Sequence, residues 1–113
     1  MKTHSSLVIV AMAAIAAFSA ADAFAADVNH GKQLYMTCAA CHGATGAGNE
    51  ALGAPPIGGM PAWYTARQLN NFKTGVRGGD PKDTFGKQMA PMAMTLATDQ
   101  DVADVAAYVE TLK

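Results

Sequence analysis

The chain has 113 residues, half of them hydrophobic, and its nine acidic and eight basic side chains leave a net charge of −1. A length of this order fits one small domain, and the lack of clustered Lys and Arg argues against nucleic acid as a partner. A domain this small has a limited apolar core and usually needs a disulfide or a metal to stabilise it.

Residues 1–25 have the features of a secretory signal peptide. A weakly basic start with Lys2 precedes an uncharged apolar run over residues 7–21, and Ala23 and Ala25 are small residues at the two positions that signal peptidase reads. We expect cleavage after Ala25 and a periplasmic domain over residues 26–113. The alternative is that this segment is retained as a membrane anchor, which would make the protein membrane-associated. The apolar run is, however, shorter than the roughly 17–25 residues of a membrane-spanning helix.

Residues 27–37 are predicted to form the first helix, with Asp27 as its N-cap, and to end at the motif Cys38-x-x-Cys41-His42. This spacing is typical of covalent attachment of c-type haem, since two thiols three positions apart can form thioethers with the two vinyl groups of one porphyrin edge. His42 would then be an axial ligand of the iron.

Three other interpretations of the thiols are weaker. A thioredoxin-like pair is found near a βαβ pattern, and no strand pattern surrounds this one. A structural zinc site needs four ligands, whereas the other candidates are His30 and His4, and His4 lies in the expected signal peptide. A disulfide would leave the adjacent His42 unexplained.

The middle of the chain alternates between irregular and helical segments. Residues 43–59 are rich in Gly and Pro and are predicted to be irregular, as expected for a segment that wraps the edge of a flat cofactor. Residues 61–73 are predicted to form a second helix that closes at Gly75, and residues 76–88 to form a loop.

The last helix has the clearest pattern in the chain. It is predicted to start at a capping box made by Thr98 and Asp101, followed by apolar side chains at helical spacing from Val102 to Leu112. Because the chain has no strand pattern, we predict an all-α fold with three to five helices around one covalent haem.

The second axial position of the iron could hold water, histidine or a methionine. Met36 lies too close to Cys38 to reach the opposite haem face, and Met60 is expected to fill the core. The segment over residues 89–94 contains Met89, Met92 and Met94 around a proline, and we predict a non-helical loop there that supplies the ligand. The alternative is that all three methionines only line the haem pocket.

These residues resemble bacterial class I c-type cytochromes across residues 27–113, especially the domains that occur in pairs in dihaem periplasmic cytochromes and fused to some oxidase subunits. The shared pieces, in chain order, are Gly31-x-x-x-Tyr35, the Cys38–His42 motif, residues 54–59, Tyr64 to Arg77, residues 89–96 and the helix that contains Tyr108. One attachment motif excludes the paired-haem form within this chain.

The resemblance implies roles for several residues. The family's ligating methionine precedes a proline by two positions and a leucine by seven, which selects Met89 and leaves Met92 as the runner-up. The carbonyl of Pro55 is implied to accept the second ring N–H of His42, with a one-residue uncertainty in register. The resemblance implies four candidates for contact with the haem propionates, namely Trp63, Tyr64, Arg67 and Arg77. It also implies that Gly31 and Tyr35 pack against Tyr108.

The resemblance implies a periplasmic electron carrier with one covalent haem c. Such a protein is expected to be a monomer, to have no enzymatic activity and to bind no small-molecule substrate. Its partners would be periplasmic or membrane redox proteins, such as an electron donor and an oxidase, that bind through small transient interfaces. The alternatives are a haem c subunit of a larger respiratory oxidase or dehydrogenase, and an open-site haem enzyme or sensor.

Overall fold

The computed structural model describes residues 25–113. These residues form α1 (Val28–His42), a short 3-10 helix (Glu50–Leu52), α2 (Ala62–Thr74), α3 (Thr84–Met94) and α4 (Asp99–Thr111). This part of the chain contains no strand, so the expected all-α class is confirmed. None of its helices is long and apolar enough to cross a membrane. Apart from Ala25, the expected signal peptide lies outside the described residues.

Helix α1 begins as predicted but ends later. The side chain of Asp27 caps it by accepting a hydrogen bond from the backbone N–H of His30 at 3.0 Å. The predicted end at residue 37 is wrong, because the alanines between the two cysteines sustain the helix through His42. It stops at Gly43, whose φ of 85° is a left-handed value that favours glycine. The whole attachment motif is therefore helical.

The segment with three methionines is part of helix α3, so the predicted non-helical loop there is wrong. The loop predicted over residues 76–88 is also too long, because α3 already begins at Thr84. The carboxylate of Asp83 caps this helix by accepting from Gly86 N at 2.9 Å. Pro91 lies inside the helix and removes the bond that its N–H would have donated to the carbonyl of Lys87. Packing of α3 against α2, together with burial of Ala93 to 1% exposure, helps to offset this loss.

Helices α1 and α4 pack closely where they cross. A Cβ atom at Gly31 would clash with the backbone carbonyl of Asp104 and lie 3.0 Å from the Cβ of Tyr108. The rings of Tyr35 and Tyr108 lie 5.3 Å apart at the same crossing. The expected contact of Gly31 and Tyr35 with Tyr108 is thus present.

Helix α4 begins where the sequence predicts, and α2 begins at Ala62, one residue after the predicted start. Helix α2 runs one residue beyond the predicted range and closes at Gly75. Helix α4 starts with the predicted capping box of Thr98 and Asp101. The buried core consists mainly of α4 side chains together with Tyr35 and Leu96, and α2 packs against both α4 and α3.

A buried carboxylate ties the start of α1 to α4. Asp104 is 2% exposed and accepts hydrogen bonds from the backbone N–H of Asp27, from Gln100 Nε2 and from His30 Nδ1, at 2.8, 2.7 and 2.8 Å. The hydrogen bond to Asp104 raises the pKa of His30 above its ordinary 6.5, with support from the charges of Asp101 and Asp27. Burial alone would raise the pKa of Asp104, but its hydrogen bonds outweigh burial and lower the pKa.

We expect stability to fall as the pH rises above about 6.5, because folded His30 holds its proton to higher pH than the unfolded chain does. Below about pH 4 stability falls again as Asp104 becomes protonated. The check is urea unfolding from pH 3 to 8.5 in wild type and His30→Gln, whose amide does not titrate. The decline above pH 6.5 should disappear in the variant; parallel declines in both proteins would contradict the His30 assignment.

We expect Gly31→Ala to destabilise the fold by about 1–3 kcal/mol through overpacking against Asp104. Alanine would otherwise favour a helix by about 1 kcal/mol, so the crossing with α4 decides the sign. Urea unfolding measures the effect, with Gln33→Ala on the exposed side of the same helix as control. A Gly31→Ala protein as stable as wild type would show that the crossing is looser than described.

Candidate haem site

Two adjoining cavities lie among α1, α2, α3 and the loop after α1. They share His42, Gly53, Pro55, Leu69, Phe85 and Met89 among their lining residues. The wider cavity has a volume of about 480 Å³, within the roughly 300–1,000 Å³ that is typical of small-molecule and cofactor sites. The narrower cavity is strongly apolar, with walls that include Leu34, Leu52, Ala93 and Leu96.

His42 lies at the junction of both cavities and is only 6% exposed. Its Nδ1 atom is 2.8 Å from the carbonyl oxygen of Pro55. A carbonyl oxygen can only accept, so Nδ1 carries the proton, and the neutral ring keeps its lone pair on Nε2. This is the protonation state that a metal-ligating imidazole requires, and the bond to Pro55 fixes the orientation of the ring.

Backbone hydrogen bonds within the loop hold Pro55 near His42. The carbonyl of His42 accepts from Gly48 N at 2.8 Å, and the carbonyl of Gly46 accepts from Ile57 N at 2.8 Å and from Gly58 N at 3.0 Å. The loop therefore folds back on itself directly after α1. Its position depends mainly on main-chain bonds, with one side-chain bond that the Tyr35 hydroxyl donates to the carbonyl of Gly43 at 2.6 Å.

The two cysteines lie one helical turn apart on α1 and both line the narrower cavity. The two do not form a disulfide with each other; Cys41 is exposed, whereas Cys38 is partly buried. Burial raises the pKa of the Cys38 thiol, as expected for a sulfur against apolar walls. Two thiols, an imidazole with an available lone pair and an apolar cavity form a donor set that fits a covalently bound haem.

The methionines differ in how they relate to the cavities. Met89 is half-buried and lines both, whereas Met92 lines only the narrower one and is 40% exposed. Met94 is 59% exposed and is not among the lining residues of either cavity. Met60 lines the wider cavity and packs against the core, and Met36 is exposed. Met89 therefore has the most extensive contact with the space that His42 also faces.

The four propionate candidates divide into two pairs. Tyr64 and Arg77 line the wider cavity. Arg77 also donates from Nη1 to Gln68 Oε1 at 2.9 Å. Arg67 and Trp63 line neither cavity; the Arg67 guanidinium instead lies over the Trp63 ring, 4.9 Å from its centroid, on the exposed side of α2.

Sequence reasoning missed several lining residues, among them Thr65, Gln68, Leu52 and Phe85. Helical spacing within α2 contains a usable signal for two of them. Positions 65, 68, 69 and 72 recur at the interval of one helix face, and all four line the wider cavity. Phe85 could not be found this way, because the segment before Met89 was predicted to be a loop.

Comparison with known proteins identifies the family. The cytochrome c family model matches residues 28–113. The chain belongs to the cytochrome c family. Together with the Cys38, Cys41 and His42 motif, this membership indicates one covalently bound haem c, so the expected family and cofactor are both confirmed.

The individual relatives include longer proteins and one that the chain covers almost completely. The chain is 36% identical over 77 residues to a thiosulfate dehydrogenase electron acceptor from Stutzerimonas stutzeri, covering 68% of this chain and 32% of the relative. It is 36% identical over 84 residues to cytochrome c-554(548) from Halomonas halodenitrificans, covering 74% and 94%. The crystal structure of reduced cytochrome c4 from Pseudomonas stutzeri superimposes with a TM-score of 0.63 at 27% identity, covering 76% of this chain and 48% of that one.

The chain thus spans about a third of the thiosulfate dehydrogenase electron acceptor and about half of the cytochrome c4 chain. The matched part of the chain covers nearly the whole of cytochrome c-554(548). The chain is therefore similar to only a part of the longer cytochromes, which agrees with its single attachment motif at Cys38–His42.

We expect the haem-free protein to lack native tertiary packing, because the apolar walls of the cavity would then face water in a domain with a small core. The check is near-ultraviolet circular dichroism of Cys38→Ala/Cys41→Ala protein freed of haem, compared with the wild-type holoprotein. A native-like near-ultraviolet spectrum of the haem-free protein would contradict this expectation.

Proposed function

We propose that this protein carries single electrons between redox proteins in the periplasm, with His42 and Met89 as the axial ligands of its haem iron. One observation carries the proposal: His42, with its Nε2 lone pair available, and Met89 line the same two cavities from different helices. Haem c, when bound, supplies the one-electron couple of its iron.

Pro55 would set the properties of the His42 ligand. Its carbonyl accepts the Nδ1 proton at 2.8 Å, which keeps the ring in one orientation and increases its donor strength. Burial of the ring protects this hydrogen bond from competing water. The ligand geometry would therefore stay the same in both oxidation states, which favours fast electron transfer over ligand exchange.

Met89 is favoured over Met92 as the second ligand because it lies in both cavities and is better shielded from solvent. A thioether ligand raises the reduction potential relative to a second nitrogen ligand. It would also fill the position that an enzyme or a gas sensor must keep open. The proposal therefore assigns no catalytic residue to this chain.

The exposed side of the site would be where electrons leave. Cys41 is exposed, and the apolar side chains of Leu52, Phe85 and Met92 line the narrower cavity while remaining partly in solvent. A small apolar rim with little net charge suits a weak, transient contact with another redox protein. The name of one relative, thiosulfate dehydrogenase electron acceptor, supports a redox enzyme as one such partner.

Export to the periplasm is supported by the signal-peptide pattern over residues 1–25, with cleavage after Ala25. The second candidate is a haem c subunit of a larger redox complex, and the likeness of this chain to part of a solved thiosulfate dehydrogenase from Marichromatium purpuratum, with 35% identity, 19% of that chain covered and a TM-score of 0.65, favours it. Release of a monomer with the periplasmic fraction supports the carrier. Co-purification with a membrane complex after mild solubilisation supports the subunit.

We expect Met89→Ala to lower the reduction potential by on the order of 0.1 V or more and to let the reduced protein bind carbon monoxide. Met92→Ala and Met94→Ala are matched controls from the same helix and should stay close to wild type in both measurements. Redox titration and carbon monoxide difference spectra provide the readouts. If Met92→Ala gives the large effect and Met89→Ala the small one, Met92 is the ligand.

A further inference from the structure

The ring of Phe85 lies directly on the backbone of Gly53. A Cβ atom at Gly53 would meet three atoms of that ring, so an alanine there would force the ring to move. The φ angle of Gly53 is 67°, a left-handed value that also favours glycine. The contact joins the loop after α1 to the first turn of α3.

Both sides of this contact are held by their own backbone. Gly53 closes the short 3-10 helix, and beside it Asn49 and Ala54 exchange two backbone hydrogen bonds at 2.7 and 3.0 Å. On the other side, the cap by Asp83 fixes the first turn of α3, which carries Phe85. The ring is therefore held between two fixed pieces of main chain.

Phe85 and Gly53 lie at the rim of the haem site. Both line the two cavities that His42 and Met89 also line. Phe85 is 56% exposed, which places its side chain at the edge of the cavities rather than in the buried core. Met89 follows Phe85 by four positions in α3, so the two side chains share one face of the helix. The ring thus covers the rim on the side of Met89.

We propose that Phe85 closes the rim of the haem site against Gly53 and so restricts the iron to electron transfer by excluding small external ligands. The inference rests on the proposed function, with haem in the cavities and Met89 as its second ligand. An external ligand must enter the site while Met89 moves away from the iron, and the ring opposes both movements. Phe85 is therefore a positioning residue.

The closed rim also affects the iron itself. An apolar ring at the rim keeps water away from the haem, and the access of solvent to such a site influences its reduction potential. Water would stabilise the more highly charged oxidised iron. Loss of the ring is therefore expected to lower the reduction potential as well as to admit ligands.

The test compares Phe85→Ala, Gly53→Ala and the double variant with wild type. Phe85→Ala removes the ring, whereas Gly53→Ala keeps the ring but displaces it. Met94→Ala is the matched control, because Met94 is an apolar residue of the same helix with 59% exposure that lines neither cavity. Two readouts apply to each oxidised holoprotein, namely its affinity for added imidazole and its stability to urea.

We expect Phe85→Ala to bind imidazole about tenfold more tightly than wild type and to have a lower reduction potential. Gly53→Ala should also bind imidazole more tightly. The double variant should bind it no more tightly than Phe85→Ala, because no ring is left to displace. Met94→Ala should match wild type.

Urea unfolding tests the same contact without an added ligand. Gly53→Ala should destabilise wild type more than it destabilises Phe85→Ala. The unfavourable left-handed conformation of alanine at position 53 is present in both backgrounds and cancels in this comparison.

A Phe85→Ala protein with the imidazole affinity of wild type overturns the proposal. So does a Gly53→Ala effect of the same size with and without the Phe85 ring, because the contact between them would then be irrelevant. Failure of the proposed axial ligation is detected separately, as a high-spin spectrum of the wild-type protein, and the urea comparison tests the ring contact in either case.

Discussion

The hydrogen bond between His42 Nδ1 and the carbonyl oxygen of Pro55 joins the end of α1 to the loop that follows it, at 2.8 Å. It fixes which ring nitrogen carries the proton and thereby which nitrogen can bind a metal. The loop in turn is held by its own backbone, through the bonds that Gly46 accepts from Ile57 and Gly58. The geometry of the ligand is thus built into the main chain.

The helices that carry His42 and Met89 are held in place by different contacts. His42 belongs to α1, which packs tightly on α4 through Gly31, the tyrosine pair and the hydrogen bonds of Asp104. Met89 belongs to α3, which packs against α2, and α2 packs against α4. Besides the contact of Phe85 with Gly53, the methionine side is therefore connected to the histidine side through α2 and the cofactor. This arrangement is the reason that we expect a domain with so small a core to need haem to hold its helices together.

Local signals in the sequence predicted much of the scaffold. The caps at Asp27 and Thr98 and the glycine after α2 are short-range patterns, and each marks a helix boundary in the structure. The attachment motif was equally readable, because its chemistry fixes the spacing of the two cysteines and the histidine. These features depend on neighbours in sequence rather than on tertiary packing.

The remaining features depend on tertiary context. Pro91 argued for a loop, but the cap at Asp83 and the burial of Ala93 keep α3 helical, so packing overrode a local breaker. The contact of the Phe85 ring with Gly53 joins distant parts of the chain and is visible only in the folded structure. Arg67 faces the Trp63 ring, whereas Arg77 lines a cavity, and nothing in the sequence alone separates these two arginines.

The most direct test of the account is the visible and near-infrared absorption spectrum of the holoprotein, recorded oxidised, reduced, and reduced with carbon monoxide. Ligation by His42 and Met89 predicts a low-spin spectrum with a weak sulfur-to-iron charge-transfer band, unchanged by carbon monoxide. A high-spin spectrum that shifts when carbon monoxide is added would mean an open iron site and would contradict the electron-carrier assignment.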